Sequence, residues 1–165
     1  MHPLYPYSQL AMETLLSLTS KRAGEWFKEE LRKLGGLEHI MKTVTDCYEC
    51  ICSLNPCLTY WDKSLTDQLS KICRCLRILE NVTHMNQQNQ KYLLEYGNNM
   101  LITTLSTFLR ICCHGILKNS AVDMNDRTSE GVIIRECLFS IVKVLINLTH
   151  RFGEECKTVS DSDHR

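Results

Sequence analysis

Residues 75–83, Cys75-Leu76-Arg77-Ile78-Leu79-Glu80-Asn81-Val82-Thr83, decide the fold, because their pattern occurs three times in the chain. Upstream it reads Ala11-Met12-Glu13-Thr14-Leu15-Leu16-Ser17-Leu18-Thr19. Downstream it reads Ile141-Val142-Lys143-Val144-Leu145-Ile146-Asn147-Leu148-Thr149. The copies start at residues 11, 75 and 141, so the offsets are 64 and 66. Each copy ends in an apolar residue with Ser or Asn before it and Thr after it. Self-similarity at a fixed period marks a repeat architecture, in which each unit buries its apolar face on its neighbours.

A second pattern recurs between the copies. Trp26-Phe27-Lys28-Glu29-Glu30-Leu31-Arg32-Lys33-Leu34 runs into Gly35-Gly36, and Asn89-Gln90-Lys91-Tyr92-Leu93-Leu94-Glu95-Tyr96 runs into Gly97-Asn98-Asn99. Glycine just past a short helix suits a left-handed C-terminal cap, where it has no Cβ to clash. Long apolar stripes spaced by three and four follow each glycine. One is Leu37, Ile40, Met41, Val44, Tyr48, Ile51 and Cys52; another is Leu65, Leu69, Ile72, Cys73, Leu76, Leu79 and Val82; a third runs from Leu101 to Ile116. That spacing keeps apolar residues on one helical face, and alternation of period two is sustained nowhere. The expected fold is all-α. Each unit has a short helix, a glycine turn, a long helix, a connection and a second long helix, the order of an armadillo repeat.

The predicted architecture is therefore an armadillo/HEAT-like helical-repeat solenoid over residues 1–153, with a partial unit at about 6–20 and units at 21–83 and 84–150. A polar tail, 154–165, follows; its Ser160-Asp161-Ser162-Asp163 reads as solvated chain or as a phosphorylation site. The units exceed the usual 40–47 residues. The excess is expected between the two long helices, near Asn55-Pro56 and in the polar stretch Lys118 to Gly131, read as a mobile loop. Two and a third units leave exposed end faces. The chain is thus expected to be a fragment, an assembly partner, or marginally stable.

The 165 residues carry 19 basic and 19 acidic side chains, and residues 1–83 hold 10 of each. No half has the basic excess that drives phosphate binding, so direct nucleic-acid contact is not expected. No run of about 18 apolar residues offers a membrane span. The start, Met1-His2-Pro3-Leu4-Tyr5-Pro6-Tyr7, has neither a basic nor an apolar leader region, so the ten cysteines are read as reduced thiols in cytosol or nucleus.

Three stretches resemble the wings apart-like (WAPL) family: "SKRAGEWFKEELRKLGG" in residues 20–36, "CLRILENVTHMNQQNQKYLLEYGNNML" at 75–101, and "IRECLFSIVKVLINLTH" at 134–150. The resemblance spans about residues 8–150 and matches part of that family's C-terminal helical-repeat domain. Residues 43–70 and 111–131 match poorly. The family's long N-terminal region with Phe-Gly-Phe motifs is expected to be missing here, with Phe152-Gly153-Glu154 the nearest approach. The resemblance implies a nuclear, chromatin-associated, non-catalytic protein. Its implied partners are cohesin subunits and the cohesin-associated HEAT-repeat regulator, and its implied role is in cohesin release, sister-chromatid cohesion and chromosome segregation. The alternative is a generic armadillo scaffold that binds an extended peptide without cohesin.

Candidate site residues follow from the three copies. Glu13 and Ser17, Arg77 and Asn81, and Lys143 and Asn147 are each four apart, which puts each pair on one helical face. Leu15, Leu79, Leu145, Leu18, Val82 and Leu148 are assigned to the core side. Ser17, Asn81 and Asn147 read in two ways. They form a polar ladder offering donors and acceptors to an extended peptide, or they tie one unit to the next. Glu13, Arg77 and Lys143 stand where armadillo proteins that hold basic targeting peptides resemble one another in a Trp, so that activity is not expected. Lys21 and Arg22 lie inside the family-like motif and are candidate partner contacts. Trp26 beside them is read as packing between helices rather than as an exposed anchor.

The remaining motifs have plain readings. Cys47-x2-Cys50-x-Cys52-x4-Cys57 with His39 suggests zinc, but these ligands point several ways along one helix, so buried packing is preferred and no metal is expected. Asn81-Val82-Thr83 and Asn147-Leu148-Thr149 match a glycosylation sequon, which the repeat explains. No nucleophile–base pair, P-loop or dinucleotide turn is present, so neither a cofactor nor an enzyme activity is expected.

Overall fold

The computed structural model describes residues 5–20, 24–54, 58, 62–118 and 129–150. Among them are seven α-helices: α1 Tyr5–Thr19, α2 Glu25–Lys33, α3 Gly36–Leu54, α4 Lys63–Thr83, α5 Gln87–Glu95, α6 Met100–Lys118 and α7 Ser129–Thr149. The all-α repeat fold read from the sequence is present. The short helices α2 and α5 form one layer, α3 and α6 a second, and α1, α4 and α7 a third. The three copies of the opening pattern close the three helices of the third layer.

Local chemistry sets the boundaries. Asp62 caps α4 by accepting from the Leu65 N–H at 2.7 Å, and Asn86 caps α5 by accepting from the Asn89 N–H at 2.9 Å. Each cap satisfies a donor that the first helical turn leaves orphaned. Gly35 has φ +75, as a left-handed stop requires. At the second stop the left-handed run is three residues long: Gly97 (φ 60), Asn98 (φ 55) and Asn99 (φ 65). Asparagine is the side chain that best tolerates this region after glycine, because it bonds locally to the backbone. Gly24, where the chain enters α2, has no room for a side chain, since a Cβ there would sit 2.2 Å from the Leu18 carbonyl oxygen.

The core runs between the layers. Leu37, Ile40, Met41, Val44 and Ile51 of α3 are buried, as are Leu101, Leu105, Phe108 and Cys112 of α6. Tyr48 meets Phe108 edge to face, with centroids 6.1 Å apart, and joins these two helices. Helix α4 is buried on several sides, from Leu65 through Ile72, Cys75 and Ile78 to Thr83, because α1, α3, α5 and α7 all pack on it. Each large apolar side chain enclosed there contributes about 1.5–3 kcal/mol. Helix α4 is therefore the organising element.

Two assignments from the sequence need correction. Leu18 is 47% exposed, whereas its counterparts Val82 and Leu148 are buried. The reason is position: nothing among the described residues packs on the side of α1 turned away from α4. Trp26 is 68% exposed, with only the edge of Phe27 against its ring at 5.8 Å. Phe27 and Leu31, one turn apart, take the inward face of this nine-residue helix, and Trp26 lies about 100° round from Phe27. Lys28, not Trp26, goes inward. Its ammonium is buried, 2.7 Å from Glu25 and 3.5 Å from the His84 carbonyl oxygen.

Candidate functional site

The third layer carries a furrow of two adjoining depressions, of about 460 and 360 Å³, that share Ser20, Glu80, Asn81 and Lys143 as lining. Six of the eight residues singled out from the sequence line it: Glu13, Ser17 and Arg77 at one end, Asn81 and Lys143 in the middle, and Asn147 at the other. Three helices bring them together from positions 134 residues apart in the chain, Glu13 to Asn147. Lys21 and Arg22 lie outside the described residues, as do Cys57, residues 119–128 of the expected loop and the tail 154–165; the end of that expected loop, Ser129 to Gly131, instead opens α7.

Inside the furrow the amides face the neighbouring unit. Asn147 donates through Nδ2 to the Glu80 carbonyl oxygen at 3.1 Å and to Thr83 Oγ1 at 3.0 Å. Asn81 donates to Thr19 Oγ1 at 3.3 Å, one unit earlier. Each threonine hydroxyl in turn donates back into its own helix, Thr19 to the Leu15 carbonyl and Thr83 to the Leu79 carbonyl. The result is a repeated Asn–Thr–carbonyl relay that links each third helix to the one before it. Ser17, the same position in the partial unit, is exposed.

Charge alternates along the furrow. Glu13 pairs with Arg74 at 2.8 Å and Lys143 with Glu80 at 3.0 Å, both between helices. Arg77 is exposed and joins no ion pair among the described residues. Such a surface offers donors, acceptors and both signs of charge to a polypeptide.

Sequence reasoning missed the residues that lock the short helices to this layer. Asn89 is fully buried and satisfied: its Nδ2 donates to the carbonyls of Lys28 at 3.2 Å and Val82 at 3.0 Å, and its Oδ1 accepts from Arg32 at 2.7 Å. Arg32 also donates to Gln88 at 2.6 Å, and Gln90 donates to the Thr83 carbonyl at 2.7 Å. The available signal was Asn86 at an N-cap position with Asn89 three residues on, in the first turn of a short helix.

The cysteines behave mainly as small buried residues. Cys47, Cys73, Cys75, Cys112 and Cys137 are buried, Cys50 and Cys52 half-buried, and Cys113 exposed. Burial pushes the Cys75 thiol up to about 12 and raises Cys112 also. At the α4–α7 junction Cys73 donates to Glu136 Oε2 at 3.8 Å and Cys137 to the Leu69 carbonyl oxygen at 3.6 Å. The neighbouring Cys137 thiol draws Cys73 below its ordinary value, while Cys73 and burial raise Cys137. Among the described residues no three His, Cys, Asp or Glu side chains converge as metal ligands, and no helix is long and apolar enough to cross a membrane.

Comparison with known proteins then supplies what geometry alone does not. Residues 6–164 match the family described as "Wings apart-like protein regulation of heterochromatin". The chain belongs to the wings apart-like family. It is 49% identical over 146 residues to protein wings apart-like of Drosophila melanogaster, covering 88% of this chain and 8% of that protein. It is 41% identical over 154 residues to the human wings apart-like protein homolog, covering 86% of this chain and 12% of the relative. Wings apart-like protein 2 of Arabidopsis thaliana is 36% identical over 87 residues, half of this chain. The chain thus spans about a tenth of the length of the fly and human relatives. The family match also reaches further than the three motifs, taking in 43–70, 111–131 and most of the tail.

Proposed function

We propose that this chain is a non-catalytic wings apart-like regulator that binds cohesin and modulates its release from chromatin in the nucleus. The observation that carries this reading is the 49% identity over 146 residues, 88% of this chain, to a wings apart-like protein. Cohesin subunits and the HEAT-repeat regulator are the proposed partners. Glu13, Ser17, Arg77 and Lys143, with Lys21 and Arg22, are the proposed contacts. Asn81 and Asn147 have their amide donors engaged with the preceding unit, which favours the inter-unit reading for both. They shape the furrow and leave its rims to meet the partner. The zero net charge suits a protein partner better than DNA.

Co-purification from nuclear extract at low salt tests this. Cohesin is expected on the wild-type chain and lost from the doubly reversed Arg77→Glu, Lys143→Glu variant. Retention of no cohesin subunit by the wild type overturns the reading. Cohesin residence time on chromatin then separates the modes. Overexpression that shortens it marks a releaser, and overexpression that lengthens it marks a competitor. An unchanged time favours the scaffold alternative, which binds an extended peptide in the same furrow.

A further inference from the structure

The two outer members of the α1–α4–α7 layer expose complementary faces. In α4 the positions that receive α7 include Cys73, Leu76, Glu80 and Thr83. Glu80 accepts from Asn147 and Lys143, and Thr83 also accepts from Asn147. Cys73, Leu76 and Thr83 are buried by that packing, and Glu80 is half-buried. Sixty-six residues on, the same positions in α7 are Phe139, Val142, Ile146 and Thr149. All four are exposed, Phe139 at 58%, Val142 at 40% and Ile146 at 52%. Their spacing of three, four and three makes one continuous stripe on the helix.

The opposite face tells the same story from the other side. Each third helix reaches back to its predecessor through one set of positions: Arg74 and Asn81 in α4, Asn147 in α7, flanked by the buried Val82 and Leu148. In α1 those positions are Leu10, Ser17 and Leu18. They are exposed, Leu10 at 65% and Leu18 at 47%. One chain therefore carries both halves of an interface that it already forms twice internally.

We propose that a second copy of this chain docks head to tail here, the α1 stripe Leu10–Ser17–Leu18 of one copy lying on the α7 stripe Phe139–Val142–Ile146 of the next. The packing continues the α1–α4–α7 succession, apolar on apolar. The Ser17 hydroxyl takes the place of the ladder asparagine and faces the open end of the relay at Thr149. Because the two faces differ, the contact is heterologous and does not close on itself, so copies add in a row. Ser17 and Ile146 also line the furrow, so a docked copy covers part of it.

Sedimentation velocity of the full chain from micromolar to about 1 mM tests it. The weight-average mass is expected to climb with concentration past twice the monomer's 19.1 kDa. Phe139→Asp with Ile146→Lys removes the receiving face, and Leu10→Asp with Leu18→Lys removes the docking face. Each variant alone is expected to stay monomeric with unchanged helical circular dichroism. Mixed together they are expected to form a one-to-one dimer that grows no further, since one intact face of each kind remains. Val142→Lys replaces the first variant if it loses its helical signal. A wild-type chain monomeric at every concentration overturns the proposal. So does a docking-face variant that still assembles, because that means two α7 stripes pair with each other.

Discussion

The α4–α7 junction and the α1–α4 junction use the same positions and are held differently. At the first, Asn147 makes two hydrogen bonds to the preceding unit, Lys143 adds an ion pair, and a thiol pair sits between the helices. At the second, Asn81 makes a single 3.3 Å bond, and the ion pair Arg74–Glu13 is about as exposed as Lys143–Glu80. Helix α1 also lacks, among the described residues, the companions that enclose α4. A sequence repeat fixes which atoms face each other. The number of neighbours fixes how much each contact stabilises, because an enclosed hydrogen bond is shielded from water and an exposed one competes with it.

The largest loss is expected at the residue that ties α2 and α5 to α4, the helix both junctions share. Asn89→Ala is expected to lower unfolding free energy by about 2–3 kcal/mol, since it leaves two buried carbonyls and Arg32 without their partner. Chemical unfolding monitored by circular dichroism measures it, and a loss under about 0.5 kcal/mol would show that water replaces the amide. Next, Asn147→Ala is expected to cost about 1–2 kcal/mol and Asn81→Ala about half as much. Equal losses would mean that the two junctions are equivalent. A double-mutant cycle of Asn147→Ala with Thr83→Val isolates the relay, with a coupling of about 0.5–1 kcal/mol expected. Smaller still, Glu13→Gln and Glu80→Gln are each expected to change stability by less than about 1 kcal/mol, the first less because Glu13 is itself more exposed than Glu80.

The mildest probe leaves the fold unchanged. Alkylation of the native chain at pH 8 is expected to modify Cys113 first and Cys75 and Cys112 last. Burial holds those two thiols above their ordinary value, so raising the pH toward 9 supplies little thiolate at either. Peptide mapping reads the order, and early labelling of Cys75 would show that the α4 core opens.

Much of this was legible before any coordinates. The three copies predicted three equivalent helices, and α1, α4 and α7 are those helices. Gly35 and Gly97 were read as left-handed stops and have positive φ. Six residues chosen for spacing alone line one furrow, because positions four apart on equivalent helices must share a face once those helices stack. What escaped had no periodic trace. Trp26 was assigned inward by size, yet the Phe27–Leu31 stripe claimed the inner face. Lys28 had no reading of its own in the sequence, yet its ammonium is held inside by Glu25 and a carbonyl of the next unit.

By itself, then, the sequence determined the helical period, the three-helix unit, the family and the set of positions that meet across units. Those are properties of local spacing, which a chain carries with it. Only the tertiary structure decided which copy of each position is covered. Cys73 and Phe139 are the same place in the repeat, one buried and one open. Burial is a property of the neighbour and not of the residue, and no repeat arithmetic can say where the neighbours stop.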